Sequence, residues 1–287
     1  MNTKQIKSII SGLVLAINLI HVSGVKSQGV LEKIEQTGLL KVAVTADAIP
    51  FGYRDSNQEL RGICLDLIKL IKKELKTQLN RDIITIHLFI SDLANRYQIV
   101  QDNIVYLECG ANSIRVVEDY NVSFSQPFFV TGTQFLVSRN KVPELTKNVA
   151  LEDLRIGVLR YTTTEEYIKN RFPEAQISLF QGANGSSLGV RAVQNQRLDA
   201  FADDGILLIG AATSLGMSLT RDYALLPETP ITCERYGLIL PKDDPSWSDF
   251  INFVIDSNEE KAIIGDWFSV TQRLVKNSPD CSLEEEL

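Results

Sequence analysis

Few residues in this sequence are equipped for chemistry, and their types narrow what they can do. There are two histidines, His21 and His87. His21 lies in an apolar N-terminal segment and His87 in the strand-like run Ile83–Ile90. Neither a Ser-His-Asp triad nor a histidine-based zinc site can be assembled from them, and His87 reads as an ordinary strand residue. Four cysteines, Cys64, Cys109, Cys233 and Cys281, contain no CxxC pair. In an exported chain an even count points to disulfides rather than to a metal, and three pairings are open. Asp204 follows a strand pattern just before a helix, where its carboxylate can cap the helix or face a ligand, and Asp203 beside it can cap instead. Thr162, followed three residues on by Glu165, is a helix-start signal. Ser113 and Arg115 lie in a polar turn, where a short hydroxyl can satisfy its own backbone and an arginine can be solvated.

The elements that must position these groups begin after a leader. Lys4 and Lys7 precede an apolar run, Ile9–Ile20, and small residues at Ser23, Gly24 and Ser27 offer cleavage sites. This is the pattern of a secretory signal peptide over residues 1–27, with an apolar run too short to span a bilayer. Its removal leaves 26 basic against 36 acidic residues, a net charge of about −10. With no basic block, a nucleic-acid partner is excluded as a first reading. The 44% hydrophobic and 23% charged composition over 287 residues suits one large domain or two smaller ones.

A helix is expected from Gln28 to Thr37 and a strand over Leu39–Thr45. Leu67, Leu70, Ile71 and Leu75 fall at helical spacing in a helix beginning at Ile63. Strand 83–90, helix 92–102 and strand 104–109 follow. A second alternation starts at Arg155–Arg160, with a helix from Thr162, strand 176–180, helix 186–195, strand 198–202 and helix 205–212. Phe128–Ser138 is a β-rich stretch suited to crossing between lobes, and Tyr236–Leu240 suits the return. Ser246–Val275 reads as helical, with Trp247, Phe250, Phe253, Trp267 and Phe268 packing. Two strand–helix alternations imply an α/β protein of two lobes, each a mostly parallel sheet with flanking helices. Two crossings between them create a cleft.

Seven segments in order then carry a family likeness: Leu40–Val44 with Pro50–Arg54 and Leu60–Leu67; Glu108–Ile114; Phe124–Gly132; Leu154–Tyr167; Arg197–Asp204; Glu234–Leu240; and Gly265–Phe268. With these the chain resembles the polar amino-acid family (family 3) of periplasmic solute-binding proteins, the receptors of ABC importers. The resemblance implies a type II periplasmic-binding-protein fold with two hinge crossings. It implies a signal peptide at 1–27, the first part of lobe 1 at 28–130, lobe 2 at 131–232, and the return crossing with C-terminal helices at 233–287. Capture of an amino acid in the cleft and delivery to an ABC permease would follow, by a periplasmic monomer that needs no cofactor, no metal and no catalytic residue.

Residue by residue, the resemblance places Asp204 on the ligand's ammonium. Ser113 and the Ala111 backbone hydrogen-bond its head group. Thr163, beside Thr162, meets the carboxylate at a helix N-terminus, where free N–H groups suit an anion. Glu118 stands where the family carries its carboxylate-clamping arginine, and Arg115 is the nearest replacement. Arg96 matches an arginine of glutamate/aspartate-binding members, which favours an acidic or polar ligand, although Thr45 stands where those members carry another arginine. Ala48 replaces a covering aromatic, for which Phe51 or Tyr97 could substitute. The resemblance also favours the pairings Cys64–Cys109 within lobe 1 and Cys233–Cys281 near the second crossing. An acid at position 118 makes an enzyme on the same fold, resembling a cyclohexadienyl dehydratase, a competing reading. A free-standing ligand sensor is another.

Overall fold

The computed structural model describes residues 28–145, 154–269 and Cys281. The leader and the chain between Ser269 and Cys281 lie outside the described residues. The first lobe starts with helix α1 (Val30–Thr37), which buries Val30 and Ile34. It stops at Gly38, whose φ of 67° turns its N–H back onto the Ile34 carbonyl, the left-handed stop that glycine accepts most readily. Strand β1 (Leu39–Thr45) follows, then a small three-stranded turn of β2 (Asp47–Ala48), β3 (Gly52–Arg54) and β4 (Leu60–Arg61). Helix α2 (Ile63–Gln78) buries Cys64, Leu67, Ile68, Ile71 and Leu75 at three- and four-residue spacing and leaves Lys69 and Lys73 in solvent. Each aliphatic side chain so buried stabilises the lobe by about 1.5–3 kcal/mol. Strand β5 (Thr85–Ser91), helix α3 (Arg96–Gln101), and strands β6 (Leu107–Cys109) and β7 (Val122–Phe124) complete this stretch.

Strand β8 (Phe129–Thr131) then leads through Gly132 into β9 (Thr133–Ser138) and a short α4 (Val142–Leu145). The second lobe continues with β10 (Arg155–Leu159), α5 (Thr163–Arg171), β11 (Gln176–Phe180), α6 (Gly185–Gln194), β12 (Ala200–Asp204), α7 (Gly205–Ser214) and β13 (Tyr223–Leu226). The chain returns through β14 (Glu234–Tyr236) and β15 (Ile239–Pro241) to α8 (Pro245–Ile255) and α9 (Asn258–Phe268). In α8, Trp247 and Phe250 are buried as expected, whereas Phe253 is 65% exposed because its position turns away from the lobe. No helix among the described residues is long and apolar enough to cross a membrane.

The sheets are mostly parallel, as expected, each with one reversed strand. Sheet one has the order β5-β1-β6-β15-β7 and sheet two β11-β10-β12-β9-β13. In each, four strands share one direction and the fourth in order, β15 or β9, runs against them, so that the edge strand beyond it, β7 or β13, also pairs antiparallel. The reversed strand in each is the one that follows a crossing, β9 after β8 and β15 after β14, and it arrives from the opposite direction.

The crossings lie side by side, β8 pairing antiparallel with β14. At Gly132 a Cβ would fall 1.9 Å from the Thr232 carbonyl oxygen, so only glycine lets the two crossings approach this closely. Both disulfides form as the resemblance implied, Cys64–Cys109 tying α2 to β6 and Cys233–Cys281 tying the tail to the return crossing. Closing loops of this length contributes about 2–4 kcal/mol each.

Candidate functional site

The parallel strands of both sheets end at the same place. β1 and β6 deliver Thr45 and the 108–115 segment, while β10 and β12 deliver Leu159 and the Asp203–Asp204 pair. The C-terminal ends of such strands are where open α/β sheets hold ligands. Together they enclose about 680 Å³ of space, part of it open to solvent. One wall carries Thr45, Asp47, Ala48, Ile49, Arg96, Ala111, Ser113 and Arg115; the facing wall carries Thr162, Thr163, Thr164, Ser186, Asp203 and Asp204.

The lobes touch across this space. Arg96 Nη2 donates to the Tyr161 carbonyl at 3.0 Å, Arg115 Nη1 to Glu166 Oε1 at 2.6 Å, and the Ser113 and Thr163 hydroxyls lie 3.3 Å apart. A Cβ at Gly210 of α7 would meet the Ile49 carbonyl oxygen at 2.4 Å, so a helix of one lobe rests directly on a turn of the other.

Positive charge on the first wall is anchored from behind. Arg96 opens α3, is 4% exposed and lies over the Tyr97 ring, 4.9 Å from its centroid. Its Nη1 donates to Asn112 Oδ1 at 3.0 Å. Asn112 in turn donates to Glu108 Oε2 at 2.5 Å, and Ser91 donates to Glu108 Oε1 at 2.7 Å. Burial pushes the Glu108 carboxyl above its usual range, and the hydrogen bonds and the Arg96 charge oppose that rise. Arg96 Nε has no hydrogen-bond partner among the described residues. A buried cationic donor left unpaired is costly, and this one stands on a cleft wall.

Negative charge dominates the second wall. Asp204 stands at the N-cap position of α7, yet its side chain makes no capping bond. Oδ2 accepts from the Tyr236 hydroxyl, and Oδ1 has no hydrogen-bond partner among the described residues. Asp203 Oδ1 accepts from the Asp204 backbone N–H at 2.9 Å, while its Oδ2 is unpartnered. Burial lifts both carboxyls: Asp203 to about 7, with the Asp47 charge adding, and Asp204 well above its usual range, with Glu234 and Asp203 adding. Across the cleft, burial lifts Asp47 to about 6 against the pull of its own backbone N–H, with Asp92 adding to the rise. Thr162 caps α5 by accepting from Glu165 N at 3.0 Å, and Glu165 answers by accepting from Tyr161 N at 2.7 Å. Thr163 is free of that duty and donates to Glu234 Oε2 at 2.9 Å.

Of the residues singled out from the sequence, Asp204, Ser113, Arg115, Thr163, Ala111, Arg96 and Thr162 all line the cleft. Phe51 does not, which corrects that expectation. It is fully buried and packs edge-on against Phe128, Phe129 and Tyr236, because a ring following a turn proline at the head of α2 falls into the lobe's core. Tyr97 backs Arg96 and is not on the wall. Arg115 reaches the wall but spends a guanidinium nitrogen on Glu166. Glu118 is exposed and off the wall, so the position that made an enzyme worth weighing does not face the cleft. His87 is exposed on β5.

Sequence reasoning passed over Asp47, Thr164 and Ser186, and treated Asp203 only as a possible cap. Asp47 carried a usable signal, since it stands two residues beyond the C-terminal end of β1.

With that geometry in place, known proteins give a consistent match. The family model described as bacterial extracellular solute-binding proteins, family 3, matches residues 40–269. The glutamate/aspartate import solute-binding protein of Escherichia coli (strain K12) is 26% identical over 239 residues, 83% of this chain and 78% of that protein. Among solved structures, an ancestral amino-acid-binding protein, a precursor of cyclohexadienyl dehydratase, superposes with a TM-score of 0.70 at 21% identity, covering 84% of this chain and all of that one. An amino acid ABC transporter substrate-binding protein from Streptococcus pneumoniae, bound to L-arginine, gives 0.68 at 20% identity, covering 86% and 98%. These structures share the two-lobe fold.

Proposed function

The chain belongs to the bacterial extracellular solute-binding proteins, family 3, and we propose that it captures a free amino acid between its lobes and passes it to the permease of an ABC importer. One observation carries this reading. Two buried residues of opposite charge line the facing walls of the cleft, and each keeps one polar atom without a hydrogen-bond partner among the described residues, Arg96 its Nε and Asp204 its Oδ1. A zwitterion supplies the missing partner to both, a carboxylate for the arginine and an ammonium for the aspartate. Ser113, the Ala111 backbone and the N-terminus of α5 at Thr163 add donors for the carboxylate. The apposed crossings are the natural hinge, and a ligand held by both walls would favour the closed arrangement.

The leader-like residues 1–27 support export to the periplasm with the leader removed. We further propose that the exported protein acts as a monomer, with residues 28–130 and 233–287 forming lobe 1 with the return crossing and residues 131–232 forming lobe 2. Binding without turnover is the reading that the family and the displaced Glu118 favour.

Calorimetric titration tests this directly. An amino acid that binds should lose at least 100-fold in affinity as its N-acetyl derivative and again as its amide, since each removes one of the two charges. A derivative that binds as well as the parent would remove the zwitterion from the account.

A further inference from the structure

Two acids on the walls are not used by the head-group contacts just described. Asp203 is 3% exposed, lines the cleft and leaves Oδ2 without a hydrogen-bond partner. Asp47 lines the cleft from the opposite lobe, on the turn after β1, close enough to Asp203 for the two charges to oppose one another. Among the described residues no lysine, arginine or histidine makes an ion pair with either. The two arginines of the cleft are directed elsewhere, Arg96 to Asn112 and Tyr161 and Arg115 to Glu166.

Resting on the amino-acid reading above, we propose that Asp47 and Asp203 form a second cation subsite, shared between the lobes, which selects an amino acid whose side chain is itself positively charged. Asp204 takes the α-ammonium, and the Asp47–Asp203 pair takes a side-chain ammonium or guanidinium. A cation there would join two carboxylates that otherwise repel across the closed cleft, so the side chain as well as the head group would hold the lobes together. An acidic side chain, the class that Arg96 suggested from the sequence, would bring a further carboxylate against the pair. A neutral side chain would leave the orphaned oxygen of Asp203 with at most a hydrogen bond, which is worth less than a charge-assisted one.

The test uses the mature chain, unfolded and refolded to remove carried-over ligand, titrated with L-arginine, L-lysine, L-ornithine, L-citrulline, L-glutamine and L-glutamate. Citrulline matches arginine in shape but lacks the charge. The expected result is that at least one cationic amino acid binds 100-fold or more tightly than citrulline and glutamate. In Asp47→Asn and Asp203→Asn that preference should fall at least tenfold while citrulline and glutamine affinities stay within threefold. Thermal unfolding of both variants checks that they fold. A cleft preferring glutamate or a neutral amino acid, or variants that keep the full preference for charge, would overturn the subsite while leaving amino-acid capture intact. A protein that binds none of the six would overturn the subsite, and amino-acid capture would fall as well only if the remaining standard amino acids also fail to bind.

Discussion

The two cleft walls hold charge by opposite strategies. On the first, the charge of Arg96 is supported through Asn112 by a buried carboxylate, stacked on Tyr97 and bonded to Tyr161, so one nitrogen alone is left over. On the second, Asp203 and Asp204 sit at a strand end with no ion pair among the described residues, and burial holds their carboxyls toward the neutral form. On the proposed reading the first wall serves as an anion site held from behind, and the second is the one that gains most when a cation arrives. A substitution in the first should therefore harm both fold and binding. One in the second should harm binding alone.

The largest effect is expected at the second wall. Asp204→Asn keeps the shape and an acceptor for Tyr236 but loses the charge; affinity should fall at least 100-fold, about 2.8 kcal/mol. The ligand-free protein should unfold at the same temperature or higher, since a strained buried charge has gone. A lower melting temperature would mean that Asp204 is structural after all. At the first wall, Arg96→Lys cannot serve both Asn112 and Tyr161. It should cost about 1–3 kcal/mol of stability and about tenfold in affinity, read by denaturant unfolding and by calorimetry.

Dependence on pH separates the walls further. Asp47 and Asp203 have folded values raised to about 6 and about 7. Their contribution to the ligand-free fold is therefore fully present below about pH 4 and is lost as pH rises through 6 to 7. The charged and titratable neighbours that share this region are Asp92, Asp204, Glu234, Tyr236 and the two cleft arginines. A bound cation favours the ionised forms, so its affinity should rise over the same interval with release of protons, whereas an amino acid with a neutral side chain should show a flatter profile. Each kcal/mol moves the melting temperature by about 2–4 °C at this size. The smallest effect belongs to Arg115→Ala. Its partner Glu166 is 58% exposed, and such pairs contribute about 0–1 kcal/mol, so affinity should change less than fivefold. A larger loss would make Arg115 the carboxylate clamp and shift weight away from Arg96.

The first wall was the harder one to read in the sequence, and for a physical reason. Apolar periodicity placed β1 over Leu39–Thr45 and α2 from Ile63, and the Thr162–Glu165 signal placed α5, because each is a local pattern. The role of Arg96 depends on Asn112 and Glu108, sixteen and twelve residues away, which only the packing of α3 against β6 brings together. The carboxylate-clamp role considered for Arg115 likewise depended on whether Glu166, on another lobe, would occupy it. Asp204 was legible because it falls where the family likeness places the partner of the ligand's ammonium; its place at a strand end suited a helix cap equally well. Asp203 was not, because two adjacent acids look alike until one is seen to accept a backbone hydrogen bond. Phe51 misled because a turn aromatic and a core aromatic share the same residue type and the same neighbours in sequence.

The central claim, that a zwitterion bridges an anion wall and a cation wall, is tested most directly by a thermal-shift panel on the refolded, ligand-stripped mature protein. The panel would hold the twenty amino acids, ornithine, citrulline, small dicarboxylates and prephenate. A ligand present at a thousand times its dissociation constant adds about 4 kcal/mol, a rise on the order of 10 °C. The account predicts such a rise with amino acids, greatest for those with a basic side chain. No rise with any amino acid, together with a clear one for a dicarboxylate or prephenate, would contradict it.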